Sequence, residues 1–269
     1  RDTAAALNER LANLKKPPLR VESVEIRRSV AFGSVLLRWR TSQAKQKQAQ
    51  ELVGLFQDIP DVVGQVVTDE KRGRWINRQD WIADRLDDLL FQISDRSFAQ
   101  ANWGLNKTLS HMVGEWLAPV QGLRVLELYS GIGTLGLPLA RHGALVTEVE
   151  ANPYALADAR HAAKANHIGR CRFRPLRAEA MLETVQAGDY DVVIVDPPRT
   201  GSSQECLQGL LRISVGRLLY LSCDPATLAR DLGRLCGDGY RITRIQPFDV
   251  LPQTAHLETL VELSRESPR

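Results

Sequence analysis

Residues 123–140 read LRVLELYSGIGTLGLPLA, and this stretch decides the fold. Its first seven residues form a short apolar strand; Gly131, Gly133 and Gly136 then fall in GxGxxG spacing, and a helix follows. Glycines at such a turn let the backbone bend tightly and approach a ligand, with the next helix N-terminus directed at it. Glu150 closes the following strand, where a carboxylate can accept hydrogen bonds from both hydroxyls of a ribose. The pattern suits a dinucleotide as well as an adenosyl cofactor. Glycines needed only for packing helix against sheet are the simpler alternative.

Outward from this unit the same alternation continues. Strands are expected at 123–129, 144–150, 170–176, 190–196 and 216–223, with helices between them, most clearly at 153–168 and 225–237. Short apolar strands alternating with amphipathic helices predict an α/β fold with a doubly wound, mostly parallel sheet. Two closing strands, 240–248 and 257–264, are expected to pair antiparallel at one edge. The chain before residue 95 has a different order: strands at 21–27, 33–40, 61–69 and 89–93, and a helix over 43–57. We therefore expect a small α+β domain over residues 1–95 and a larger α/β domain over 96–269.

Composition narrows the class of function. Hydrophobic residues make up 43% and charged residues 25% of 269, as in a soluble globular chain. No run of eighteen apolar residues predicts a membrane span, and the first residues lack the apolar core of a signal peptide. A cytoplasmic location is expected. Cys171, Cys206, Cys223 and Cys236 show no CxxC or CxxxC spacing, so no metal is expected. The net charge is only +3, but residues 1–47 hold eleven Lys/Arg against four Asp/Glu. Such a block attracts a polyanion through counterion release, although a merely solvated face is the commoner reading.

Two further turns carry chemistry. The fourth strand of the large domain ends in DPPRTG, 196–201, where two prolines stiffen the turn that presents Asp196 at the carboxyl end of the sheet. A fixed carboxylate there can hydrogen-bond a planar heterocycle; Asp196 as a helix N-cap, with Arg199 as a surface charge, is the plainer alternative. In LYLSCDPATLARDL, 219–232, Cys223 ends the next strand and precedes a helix. A helix N-terminus is expected to lower its thiol pKa and favour the thiolate, whereas most such cysteines are inert packing groups.

The series LELYSGIGTLGLPLA, VEANPYALADAR, DVVIVDPPRTG, LLYLSCDPATLARDL and PFDVLPQTAHLETLVEL resembles the RNA uridine-5-methyltransferases, which make 5-methyluridine in tRNA or large-subunit rRNA. FQISDRSFAQAN, 91–102, is similar to the Phe-Phe-Gln-x-Asn segment that precedes the methyltransferase domain of that family. The resemblance runs from about residue 60 to the C-terminus with the motifs in order. It implies a class I methyltransferase Rossmann-like domain, S-adenosylmethionine as cofactor and RNA as partner. Carried over by motif, Cys223 is the nucleophile that adds to uracil C6 and Glu258, in QTAHLE, is the general base; Gln100, Tyr129, Gly131, Gly133, Glu150 and Asp196 line the cofactor and uracil pocket. A uridine that meets both a thiol and a methyl donor has to leave its stack.

The sequence departs from the family in places. Ala99 stands where the second Phe of the Phe-Phe-Gln segment is usual, and Asp224 where Asn usually follows the cysteine. The N-terminal oligonucleotide-binding β-barrel and four-cysteine iron–sulfur site that many members carry are not found in this sequence, so the expectation is either a fragment or reduced form, or RNA held by the basic stretch before residue 47 and the small domain. The compact Gln100 segment favours large-subunit rRNA slightly over tRNA, and a monomer is expected. Phe98 and Trp103 suit either base stacking or core packing, and His256 suits a structural or RNA-facing place. Three other readings compete. An inactive RNA-binding protein should have lost at least one of Gln100, Asp196, Cys223 and Glu258. A nicotinamide-dependent oxidoreductase leaves DPPR and the thiol unexplained. A cytidine-C5 methyltransferase usually has a cysteine where this chain has DPPR.

Overall fold

The computed structural model describes residues 3–14, 18–100, 102–249, 253 and 257–265. Two compact units emerge: Arg1–Arg85 with Leu90–Arg96, and Leu86–Leu89 with Ser97–Arg269.

The first unit begins with α1 (Thr3–Ala12), β1 (Val21–Arg28), β2 (Val35–Thr41), α2 (Gln46–Gly54), β3 (Val62–Asp69) and β4 (Gly73–Asn77). The strands form one sheet in the order β1-β2-β3-β4, antiparallel except for β2 with β3, which α2 connects. Ala49, Leu52 and Val53 lie on one face of α2 at helical spacing and are buried against the sheet. Trp39 packs on Phe56 beneath them with ring centroids 4.7 Å apart, and its indole N–H donates to Gln65 Oε1 at 3.1 Å. A hairpin of β5 (Trp81–Leu86) and β6 (Leu89–Ser94) follows.

The second unit comprises α3 (Trp103–Leu117), β7 (Arg124–Leu128), α4 (Gly136–Arg141), β8 (Leu145–Val149), α5 (Pro153–Ala165), β9 (Cys171–Arg174), α6 (Ala178–Thr184), β10 (Val192–Val195), α7 (Gln204–Ile213), β11 (Arg217–Ser222), α8 (Pro225–Gly237), β12 (Arg241–Asp249) and β13 (Leu257–Ser264). Its seven strands run in the order β12-β13-β11-β10-β7-β8-β9; the last five are parallel, and β13 is antiparallel to both its neighbours. This is the doubly wound α/β sheet expected, with the closing pair at the edge.

Alternate strand residues feed two cores. Leu126, Leu128, Val193, Val195, Leu218 and Tyr220 face α6, α7 and α8, while Val125, Val192, Ile194, Leu219 and Leu221 pack with the residues of α3 and α4. Because both faces are covered, the strands read as continuous apolar runs. The sequential order β7-β8-β9 runs one way from the middle of the sheet and β10-β11 the other, so the chain reverses direction between β7 and β10. A crevice at that switch point, at the carboxyl ends of the strands, is where such sheets bind ligands.

Candidate functional site

The candidate residues are set by strand ends. Tyr129, Glu150, Asp196 and Cys223 are each the first residue past β7, β8, β10 and β11, so the sheet delivers all four to one rim. Glu258 reaches the same rim from the antiparallel strand. Ser222 pairs with Thr259, and one step along that register sets Cys223 opposite Glu258. Gln100, just before α3, hydrogen-bonds the Glu258 side chain.

The glycine turn is built for close approach. Gly131 and Gly133 have φ of +56° and +83°, in the left-handed region that favours glycine. A Cβ on Gly131 would meet nothing within 4 Å, so space beside the turn is open. A Cβ on Gly136 would instead fall 2.4 Å from Glu127 Oε2 and Glu148 Oε1, so only glycine fits there. Glu150 fixes the turn: its Oε2 accepts the Gly131 N–H at 2.9 Å, and its Oε1 accepts the Asn152 N–H at 2.7 Å. Each carboxylate oxygen has two lone pairs, so capacity for a ligand hydroxyl remains.

A cavity of ≈ 680 Å³ has Tyr129, at the end of β7, in its wall together with Glu179, Pro198, Ser202 and Arg230. That volume is in the range of cofactor pockets. Of the candidate site residues only Tyr129 lines it; Gln100, Gly131, Gly133, Glu150, Asp196, Cys223 and Glu258 do not, although Pro198, two residues after Asp196, does.

The proline turn is bolted to α8. Ser202 N–H donates to Asp231 Oδ2 at 2.8 Å, Tyr220 OH donates to the same oxygen at 2.5 Å, and Ser202 Oγ lies 3.0 Å from Tyr220 OH. Thr227 Oγ1 donates to the Arg199 carbonyl at 3.2 Å and Arg230 to that of Thr200 at 3.0 Å. All three members of the buried Ser202–Tyr220–Asp231 set are less than a tenth exposed. Asp224 caps α8, accepting the Thr227 N–H at 2.8 Å, with Pro225 at the first helical position. A carboxylate at this position therefore performs the capping that an Asn would. Asp196 is not a cap: Ser203 begins α7, accepting the Cys206 N–H at 3.1 Å.

The electrostatics correct one expectation. The Cys223 thiol is raised, not lowered: burial is the main cause, the Glu258 and Asp196 carboxylates add to it, and Arg199 only partly opposes them. Asp224 already satisfies the helix end, and burial with the nearby negative charge keeps the thiol raised. Glu258 is 2% exposed, and burial raises it to about 7 against the hydrogen bond from Gln100. Asp196 is raised well above its usual range by burial and by Glu258 and Glu150. Three carboxyls and a thiol thus crowd one rim, with Arg199 as the cation that partly offsets the rise of the thiol. The sequence offered Arg199 only as a surface charge; its place directly after the two prolines was the available signal.

Sequence reasoning also missed Glu127 and Glu148, which pair in register on β7 and β8 below the glycine turn at 2% and 0% exposure. Burial and mutual repulsion raise Glu127, and burial raises Glu148 to about 7. Unfolded carboxyls release their protons near 4.5, whereas the folded pair keeps an extra proton to about 7. Stability therefore falls as pH rises through that window. Glu148→Gln is expected to flatten the decline and to melt a few degrees higher than the parent at pH 8. Melting curves at pH 5 and 8 check this; a parent equally stable at both would exclude the shared proton.

The remaining candidates separate. Phe98 is 75% exposed and Trp103 is 7% exposed, so only Phe98 offers a free ring. His256 lies outside the described residues. No helix among the described residues is long and apolar enough to cross a membrane.

The sequence model of tRNA (uracil-5-)-methyltransferases matches residues 30–266. The chain belongs to this family. An RNA methyltransferase of Gloeobacter violaceus is 37% identical over 225 residues, covering 81% of this chain and 48% of that protein. One of Enterococcus faecalis is 35% identical over 254 residues, covering 90% and 56%. Among solved structures, the Pyrococcus abyssi tRNA (uracil-54, C5)-methyltransferase in complex with S-adenosyl-L-homocysteine superposes with a TM-score of 0.75 at 27% identity, over 90% of this chain and 59% of that one. A precorrin-6y C5,15-methyltransferase of Geobacter metallireducens, 14% identical with a TM-score of 0.51 over 59% of this chain and 89% of its own, shares the fold alone. This member of the uracil-5-methyltransferase family spans about half the length of the curated relatives it matches.

Proposed function

We propose that the protein methylates C5 of a uridine in RNA, using S-adenosylmethionine, through a covalent bond between Cys223 and uracil C6. The observation that carries this reading is the register that sets Cys223 opposite Glu258 at the ligand rim, in a chain of the uracil-5-methyltransferase family.

The rim suits the cofactor. Open space beside Gly131, the Glu150 oxygens and the cavity wall at Tyr129 offer room for an adenosyl group and acceptors for its ribose. When bound, the cofactor supplies an electrophilic sulfonium methyl. Uracil C5 is too weak a nucleophile to accept that methyl unaided. Cys223 Sγ adds to C6, its proton passing to a neighbouring carboxylate, and the electron pair displaced onto C5 and O4 makes C5 enolate-like. Once C5 is methylated, Glu258 removes the C5 proton; the freed pair re-forms the C5–C6 double bond, and the sulfur leaves. Asp196 holds the base edge, and Gln100 holds the Glu258 carboxyl. The raised thiol favours the protonated form of Cys223 in the free protein, so addition needs a carboxylate to take its proton. Large-subunit rRNA is the substrate we favour over tRNA, on the Gln100 segment.

RNA containing 5-fluorouridine tests the reading. Fluorine cannot leave as a proton, so addition at C6 and methylation should end in a stalled protein–RNA complex, visible as a shifted band on a denaturing gel in the presence of S-adenosylmethionine. Comparing rRNA and tRNA transcripts assigns the substrate. No band with either would refute the covalent route.

A further inference from the structure

The tip between β1 and β2 exposes three consecutive apolar residues, Val30, Ala31 and Phe32, with Val30 73% and Phe32 50% exposed. A turn needs nothing apolar, and exposed apolar runs are avoided unless they bind something. This tip is also held rigidly. Asp84, 2% exposed, accepts the Val30 N–H at 2.7 Å and the Ala31 N–H at 3.0 Å, and its Oδ1 also accepts the Arg85 N–H at 2.8 Å. Ser29, 1% exposed, accepts the Phe32 N–H on its hydroxyl at 3.0 Å, and its backbone N–H donates to the Ser34 carbonyl at 2.8 Å. Burying a carboxylate costs free energy unless several donors satisfy it, and here those donors are the backbone of the tip itself. The apolar side chains are therefore presented in a fixed direction.

Charge selects the partner. The Arg85 guanidinium lies 5.6 Å from the centroid of the Phe32 ring, and Arg28, also exposed, ends the strand that leads into the tip. A half-exposed ring with a guanidinium over one face matches an unpaired nucleobase, which stacks on the ring surface the guanidinium leaves uncovered while its phosphates meet the arginines. We propose that the Val30–Phe32 tip is a stacking platform for an unpaired base of the RNA substrate. The inference rests on the RNA reading above and adds a contact in the first unit, whose first 47 residues carry the excess of eleven basic over four acidic side chains.

The test is fluorescence anisotropy with a labelled single-stranded RNA of about a dozen nucleotides, a length that covers one such binding site. Phe32→Ala should weaken binding about tenfold while leaving the melting temperature unchanged. Phe32→Trp should bind as the parent does and add an indole emission, read as a difference from the parent, that RNA quenches by stacking. Equal affinity for parent and Phe32→Ala, or an added emission in Phe32→Trp that RNA leaves unquenched, overturns the proposal. So does Phe32-dependent binding to vesicles of anionic phospholipid with RNA affinity unaltered, which would assign the tip to a lipid surface. Failure here is separable from failure of the catalytic reading. A 5-fluorouridine adduct with no Phe32 effect sinks only the platform; a Phe32 effect with no adduct from any RNA sinks only the covalent mechanism.

Discussion

Cys223→Ala should lower methylation by roughly four orders of magnitude or more, because removing a covalent nucleophile leaves only binding and orientation to act on an unactivated C5. Cofactor affinity should hardly change: Cys223 does not line the cavity beside Tyr129, and the glycine turn is fixed by Glu150 from another strand. The variant should fold, since the substitution removes one sulfur from a half-buried site and leaves the Asp224 cap intact. The measurement pairs tritium transfer from S-adenosylmethionine with calorimetric titration of S-adenosylhomocysteine. Turnover close to that of the parent would eliminate the covalent mechanism. Lost affinity without lost turnover at saturation would move Cys223 to the cofactor.

Glu258→Gln should behave differently. The amide keeps the shape and can still hydrogen-bond Gln100, but it cannot take the C5 proton. Addition and methylation then proceed while elimination slows by about 10²–10⁴-fold, the usual worth of a general base. A methylated protein–RNA adduct should accumulate on ordinary uridine RNA and survive denaturing electrophoresis. The parent supplies a second check. Because burial raises Glu258 to about 7, its carboxyl is largely protonated at pH 6 and largely ionised at pH 8. Elimination needs the ionised form, so the rate of adduct resolution should climb through that interval in the parent and stay low and flat in the variant. Fast turnover by Glu258→Gln would remove it as the base.

How much of this was legible depends on what each residue faces. The parallel strands were, because Val192–Val195 and Leu218–Leu221 are buried on both faces and must be apolar. Strands β4 and β5 were not: Gly73–Asn77 and Trp81–Leu86 mix charged and aromatic residues in short runs and are only partly buried. Helix α1 was passed over because its polar composition hid the single stripe that buries Leu7. The gathering of Tyr129, Glu150, Asp196 and Cys223 on one rim followed from reading each as a strand end. The state of the thiol did not follow. A sequence shows that a helix begins after Cys223, but not that the thiol is buried there, nor that Glu258 arrives from a strand thirty-five positions later to add its negative charge. Glu127 and Glu148 were hidden for a similar reason, since each is an ordinary acid until β7 and β8 pair in register.

That β13 is held between β11 and β12 has a consequence for how this chain can change over time. Side chains along a strand alternate between faces, so a shift of one position turns every residue over. Many single replacements in β13 leave Glu258 facing the cysteine. A one-residue deletion or insertion between Leu257 and Ser264 does not: it either breaks the ladders to both neighbours or brings Leu257 or Thr259 opposite Cys223 in place of the carboxylate. The segment should therefore drift in composition while keeping its length, and a designer grafting it elsewhere has to carry the spacing rather than the letters.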